Sequence, residues 1–263
     1  MNIKRLLSGI FFLGLTVGIL DLGNTTIVNI TIAIVTLWAL NEYLNSLKVK
    51  KKYERIFADL VAISIAFLDV IPYKFLILVY PITIIALFVE VITTEMKTNF
   101  LDIVKTGFGI IYIAGFLLFI PLLYKENNGK FLIWYIAIAS WGTDTFAYWI
   151  GNKFGKHKLT PISPKKSVEG SFGGIVGAVI MALIYTYFIN KYGNMNFSIH
   201  IVAGLTFILS ILSQIGDLAA SSIKRCVGIK DFSKLIPGHG GMLDRVDSIL
   251  FIAPFAYFLL TIL

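Results

Sequence analysis

Apolar residues run along this chain in long blocks separated by short polar connectors. Nine blocks stand out, at about 6–20, 25–44, 56–72, 75–92, 103–123, 131–151, 170–190, 200–221 and 246–263. Within each block the hydrophobic positions fill every side of a helical wheel, whereas a water-soluble core helix shows one stripe. They also fail to alternate with polar residues, which excludes transmembrane β-strands. Crossing a bilayer takes about 20 mostly apolar residues, and lipid offers the backbone no hydrogen-bond partner, so such blocks must be helical. The pattern predicts an all-α, polytopic transmembrane helical bundle of about nine helices. The first block is short, and its charged start, Lys4 and Arg5, also reads as a signal peptide. No small-residue cleavage site follows it, only Asp21, Leu22, Gly23 and Asn24, so it is read as a helix.

Composition agrees. Hydrophobic residues make up 57% of the 263 and charged residues 14%, against about 25% charged in an average soluble domain. Mean hydropathy is +0.83. The net charge of +8 is that of many nucleic-acid binders, but its distribution points to a membrane. With the N-terminus in the cytoplasm and the sides alternating, only Lys74, Lys125, Lys130 and Lys191 of the 23 Lys and Arg fall outside. That bias obeys the positive-inside rule, and an odd number of spans puts the C-terminus outside. The last two basic loops have a second reading, because phosphate binding also demands Lys and Arg. The single cysteine, Cys226, excludes an internal disulfide and a multi-cysteine metal site.

Unusual polar chemistry is confined to the second half. Residues 1–130 read as transmembrane helices forming a lipid-facing or dimer scaffold, and 131–263 as the catalytic region. Asp144 sits about seven residues inside the cytoplasmic end of the sixth block, roughly 10 Å deep at 1.5 Å per residue. Asp217 lies near the same end of the eighth block, and Asp244 and Asp247 open the ninth. Intramembrane acids are costly and face bundle interiors or polar cavities. Taken singly, Asp247 also reads as an interfacial acid at a helix N-terminus, and Asp217 as a helix-packing partner. Taken together, four acids from three helices at one depth describe a shared site. Asp217, Ser221 and Lys224 are spaced i, i+4, i+7, and Asp244 and Asp247 i, i+3, so each set shares one helix face. Carboxylate and hydroxyl oxygens suit Mg²⁺ or Mn²⁺, and the dispersed His157, His200 and His239 argue against a histidine-based metal site.

The loop over 221–247 adds phosphate chemistry. Gly238, Gly240 and Gly241 flank His239 just before a helix N-terminus, where backbone N–H groups approach an anion closely. Lys224, Arg225, Lys230 and Arg245 can neutralise phosphate charge. The earlier loop, Ser163 to Gly170, has two readings: a second phosphate contact through Lys165, Lys166 and Ser167, or a positive-inside anchor with a helix cap.

Residues 221–247 resemble the signature of the phosphatidate cytidylyltransferase (CDP-diacylglycerol synthase) family. Ser221, Ile223, Lys224, Arg225, Lys230, Asp231, Ser233, Ile236, Pro237, His239, Gly240, Gly241, Met242, Asp244, Arg245, Val246 and Asp247 fall at its pattern positions. The stretch over 142–170, from Gly142, Thr143 and Asp144 to Gly170, is similar to the family as well. The resemblance implies a membrane enzyme that transfers CMP from CTP to phosphatidate and releases diphosphate. It implies Mg²⁺, K⁺ as a possible second cation, and a homodimer in the bacterial inner membrane with the site facing the cytoplasm. It implies Asp217 and Asp244 as metal ligands, with Ser221, Lys224 and Arg225 binding phosphate. Asp144 and Asp247 support the polar cavity in this reading, and Lys230, Asp231, His239, Gly240, Gly241 and Arg245 contact substrate; His239 would be a phosphate contact more than a proton-transfer group. Nucleic acid is not an implied partner. Two rivals remain: another CTP-using lipid transferase or polyprenol kinase, and a transporter that couples ions to intramembrane acids.

Overall fold

The computed structural model describes residues 14–49, 52–93, 100–235 and 240–261. Among these residues every regular element is a helix, and Lys158 and Ser167 form an isolated β-bridge. Residues 6–13 of the first apolar block lie outside the described residues; its remainder runs into a π-helical turn, Gly18–Leu22. Then come α1 (Thr25–Ser46), α2 (Lys52–Ser64), α3 (Tyr73–Thr93) and α4 (Phe100–Gly109). A π-turn at Ile110–Gly115 leads from α4 towards α5 (Phe119–Lys125). A second π-turn, Ile138–Gly142, joins α6 (Gly129–Ala137) to α7 (Thr143–Phe154). The chain continues through α8 (Val168–Tyr192) and α9 (Ile199–Cys226) to α10 (Leu243–Leu260).

Five helical runs are long and apolar enough to cross a membrane: Thr25–Ser46, Tyr73–Thr93, Phe100–Lys125, Val168–Tyr192 and Ile199–Cys226. They match five of the nine expected spans, and the others differ for physical reasons. The block at 56–72 forms only α2 and a 3₁₀ turn, Ile65–Phe67. The block at 131–151 runs through its π-turn as one helical stretch, but Ser140, Thr143, Asp144 and Thr145 make its middle more polar than the five runs above. The last block becomes α10, whose opening residues include the charged Asp244, Arg245 and Asp247.

The chain forms two compact units: Met1–Pro121 with Val227–Val246, and Leu122–Cys226 with Asp247–Leu263. In the first, α1 packs along α2 and buries Leu40, Leu44, Ala58, Val61 and Ile65. Polar links reinforce that contact. The Asn41 amide donates to Asp59 at 2.9 Å, and Arg55 donates to Asn45 at 2.7 Å. In the second unit α7 lies against α8 at backbone distance. A Cβ at Gly173 would stand 2.7 Å from the Ile150 Cβ, and one at Gly174 would stand 2.7 Å from the Thr143 carbonyl oxygen. Small residues at such crossings let helices approach where lipid supplies no hydrophobic drive. Hydrogen-bonded hydroxyl pairs then tie helices together: Tyr135 with Thr186 at 2.8 Å, Ser140 with Ser248 at 2.7 Å, and Thr143 with Ser210 at 2.6 Å.

Candidate functional site

The second unit holds an open cleft of about 230 Å³, lined by Asp144, Asn152, Ser163, Lys165, Lys166 and Gln214 among others. Its wall is the connection between α7 and α8, and the local sequence explains its shape. The connection doubles back on itself through Leu159 N–H to the Lys166 carbonyl at 2.9 Å and Val168 N–H to the His157 carbonyl at 2.9 Å. Ser167 caps α8 by accepting from Gly170 N–H at 3.1 Å. Glu169 reaches back to accept from Lys156 N–H at 3.1 Å and pairs with His157 Nδ1 at 2.6 Å. Ser167 and Glu169 thus make the expected helix cap, and Lys165 and Lys166 beside it line the cleft.

The Lys166 ammonium forms an ion pair with the Asp217 carboxylate of α9. Helix α9 continues unbroken to Cys226, so Asp217, Ser221 and Lys224 do share a face, with Ser221 and Lys224 buried. Asp247 is buried in α10, where its Oδ1 accepts from Ser248 N–H at 2.8 Å. The charges of Asp217, Lys224 and Asp144 all act on it. A Cβ at Gly216 would stand 2.8 Å from the Asp247 carbonyl oxygen, so α9 and α10 also meet backbone to backbone. The structure thus brings Asp144, Asp217, Asp247, Lys166 and Lys224 into one neighbourhood. Arg225, at the end of α9, and Lys230 and Asp231 beyond it are exposed.

In the first unit Asp244 makes different contacts. Its Oδ2 accepts from Phe232 N–H at 3.0 Å and Gly241 N–H at 2.9 Å, folding its own loop around the start of α10. Gly240 has φ +80°, a left-handed conformation natural to glycine. The sequence pattern suggests that backbone N–H groups here face a ligand. Instead they meet protein carboxylates: Gly241 N–H meets Asp244, and the N–H groups of Met242 and Leu243 meet Glu42 at 2.9 and 2.8 Å. Arg245 is exposed, while Gly238 and His239 lie outside the described residues.

Glu42 is the residue that sequence reasoning passes over. The available signal is a lone acid in an apolar block, in the half of the chain without a polar cluster.

The donor set in the second unit consists of hard oxygens and fits Mg²⁺. That ion keeps several waters and is held by one or two carboxylates plus substrate phosphates, without a dedicated protein cage. Among the described residues no group of three or more His, Cys, Asp or Glu is placed to hold an ion by itself.

An all-helical chain with five apolar runs of spanning length, carrying a carboxylate–lysine cleft between its helices, defines an integral membrane protein with a polar site. The chain belongs to the cytidylyltransferase family, whose model matches residues 3–263. It is 38% identical over 171 residues to the phosphatidate cytidylyltransferase of Staphylococcus aureus (strain COL), covering 64% of this chain and 63% of that protein. It is 41% identical over 145 residues to the phosphatidate cytidylyltransferase of Bacillus subtilis (strain 168), covering 55% of this chain and 52% of the relative. The phosphatidate cytidylyltransferase of Thermotoga maritima is 35% identical over 170 residues, covering 62% and 61%. The chain thus spans between about half and two thirds of the length of these relatives.

Proposed function

We propose that this chain transfers CMP from CTP to phosphatidate, forming CDP-diacylglycerol and releasing diphosphate. The observation that carries the reading is the cleft where Lys165, Lys166 and Asp144 meet, with Lys166 paired to Asp217. Family membership and the names of the relatives support the substrates.

The chemistry follows from charge. A phosphate oxygen of the lipid attacks the α-phosphorus of CTP, and the bond between that phosphorus and the β-phosphate oxygen breaks. The nucleophile is already ionised at neutral pH, so no strong base is required; the obstacle is anion–anion repulsion. Lys165, Lys166, Lys224 and Arg225 offset it and orient the phosphates for in-line displacement. Lys166 would exchange its partner Asp217 for a phosphate as substrate enters. Mg²⁺, with Asp217 and Asp244 as its proposed ligands, would add neutralising charge on the departing diphosphate. K⁺ is a proposed second cation. Asp144 and Asp247 keep the cavity polar, and Ser221, Ser167, Lys230, Asp231, His239, Gly240, Gly241 and Arg245 remain proposed contacts. We place the N-terminus and the site on the cytoplasmic side of a bacterial inner membrane, where CTP is found, with the C-terminus outside. Residues 1–130 act as the scaffold of a homodimer in this proposal.

The deciding experiment uses purified protein in detergent micelles with Mg²⁺. Label from [α-³²P]CTP should enter extractable lipid only when phosphatidate is supplied, with stoichiometric diphosphate. Transfer from [γ-³²P]CTP to a polyprenol would identify a kinase instead. No lipid label from either nucleotide would sink the transferase reading.

A further inference from the structure

Glu42 lies in α1 and is 7% exposed. Its Oε1 accepts from the Ser233 hydroxyl at 2.6 Å and from Met242 N–H at 2.9 Å, while its Oε2 accepts from Leu243 N–H at 2.8 Å. The last two donors open α10, where backbone N–H groups have no partner within the helix. An acid at that end is also favoured by the helix dipole. The fit is close enough to dictate a neighbour. A Cβ at Gly241 would stand 2.7 Å from the Glu42 carboxyl carbon, so a side chain there must push the carboxylate away. Asp244 completes the arrangement from within α10 by accepting from Gly241 and Phe232. Two carboxylates therefore fix the first turn of α10, one from that helix and one from α1.

We propose that Glu42 is a positioning residue for the transfer reaction: it sets the orientation of the turn that carries Asp244 and Arg245. This inference rests on the reaction proposed above. Three donors converge on the two oxygens of Glu42, and glutamine cannot satisfy them all. Whichever way its amide is turned, the nitrogen faces at least one N–H or O–H donor and leaves it opposed.

The test uses the full chain in detergent and the variants Glu42→Gln and Ser233→Ala. Amide exchange is read on peptides covering 240–247, and kcat and KM are read for CTP. In Glu42→Gln, exchange at 240–247 should accelerate by about ten-fold or more, as expected for losing a charge-assisted hydrogen bond. Peptides of α8 should keep their wild-type rate. The value of kcat should fall by about ten-fold while KM for CTP moves less than about two-fold, because a mispositioned turn impairs the step more than binding. Ser233→Ala keeps both backbone contacts and should show the smaller effect in both readouts. Glu42→Asp, which keeps the charge on a stem one methylene shorter, gives a second variant if the Gln protein fails to fold, and its values should fall between wild type and Gln.

Faster exchange at 240–247 with unchanged kcat would reduce Glu42 to a structural cap and overturn the proposal. So would unchanged exchange, or a Ser233→Ala effect equal to that of Glu42→Gln. If the wild-type protein transfers no CMP label, the reaction assigned above has failed. The exchange experiment then still reads whether Glu42 holds the turn.

Discussion

Replacing Gly174 by alanine adds one methyl group where α8 meets α7. The new Cβ would stand 2.7 Å from the Thr143 carbonyl oxygen and 3.0 Å from the Ala147 Cβ. A relaxed C···O contact is about 3.3 Å or longer, so the helices must part by about 0.6 Å. The obstructing atom is backbone, so no side-chain rotation relieves it. Such overpacking costs about 1–3 kcal/mol, offset by the roughly 0.4–1 kcal/mol that alanine gains over glycine in the unfolded chain. Gly204, in α9, is the control, since a Cβ added there would meet nothing within 4 Å. There the alanine gain should appear alone. The two variants should differ by about 1–3 kcal/mol, or several degrees in melting temperature at about 2–4 °C per kcal/mol. Thermal melts of both proteins in one detergent, followed by circular dichroism, measure that difference. Gly174→Ala should also lose turnover, because Thr143 precedes Asp144 and is hydrogen-bonded to Ser210. If Gly174→Ala melts at or above Gly204→Ala, the backbone contact between α7 and α8 is not as tight as described.

Three further outcomes are expected. Asp244→Asn should purify as a folded protein but lose at least about ten-fold in turnover; near-wild-type rates at saturating Mg²⁺ would remove Asp244 from the ligand set. Lys166→Met deletes the partner of Asp217 and a charge in the cleft, so KM for CTP should rise, with a smaller effect when Lys153, exposed beyond the cleft, is changed in the same way; equal effects would mean the cleft gives Lys166 no special part. Single cysteines at Lys158 and Ser233, in a Cys226→Ser background, should react with an impermeant maleimide only from the cytoplasmic side. CTP with Mg²⁺ should slow Ser233 more than a control at Asn194, and labelling of Ser233 from outside would overturn the orientation.

Hydropathy locates α1, α3, α8 and α9 within a few residues because each is long, apolar and opened or closed by polar residues such as Asn24 and Ser167. It cannot register the π-turns at Ile110–Gly115 and Ile138–Gly142, since an extra residue per turn leaves apolar content unchanged. Helical spacing places Asp217, Ser221 and Lys224 on one face correctly, because α9 remains regular to Cys226. It is silent on which partner each acid finds. Lys166 meets Asp217 only through the fold of the connection ahead of α8, a tertiary fact without a local pattern. Glu42 shows the limit most sharply, since its partner Ser233 is 191 residues away.

That separation has a consequence for synthesis. At about 5–20 residues per second, roughly 10–40 s pass between translation of Glu42 and of the residues that satisfy it. Throughout that interval α1 carries an acid near one end with its eventual donors not yet made. An unpaired carboxylate disfavours deep insertion, so the nascent helix should sit with Glu42 held at the lipid–water boundary. The unit formed by Met1–Pro121 with Val227–Val246 cannot be completed before Ser233, Met242 and Leu243 have been translated.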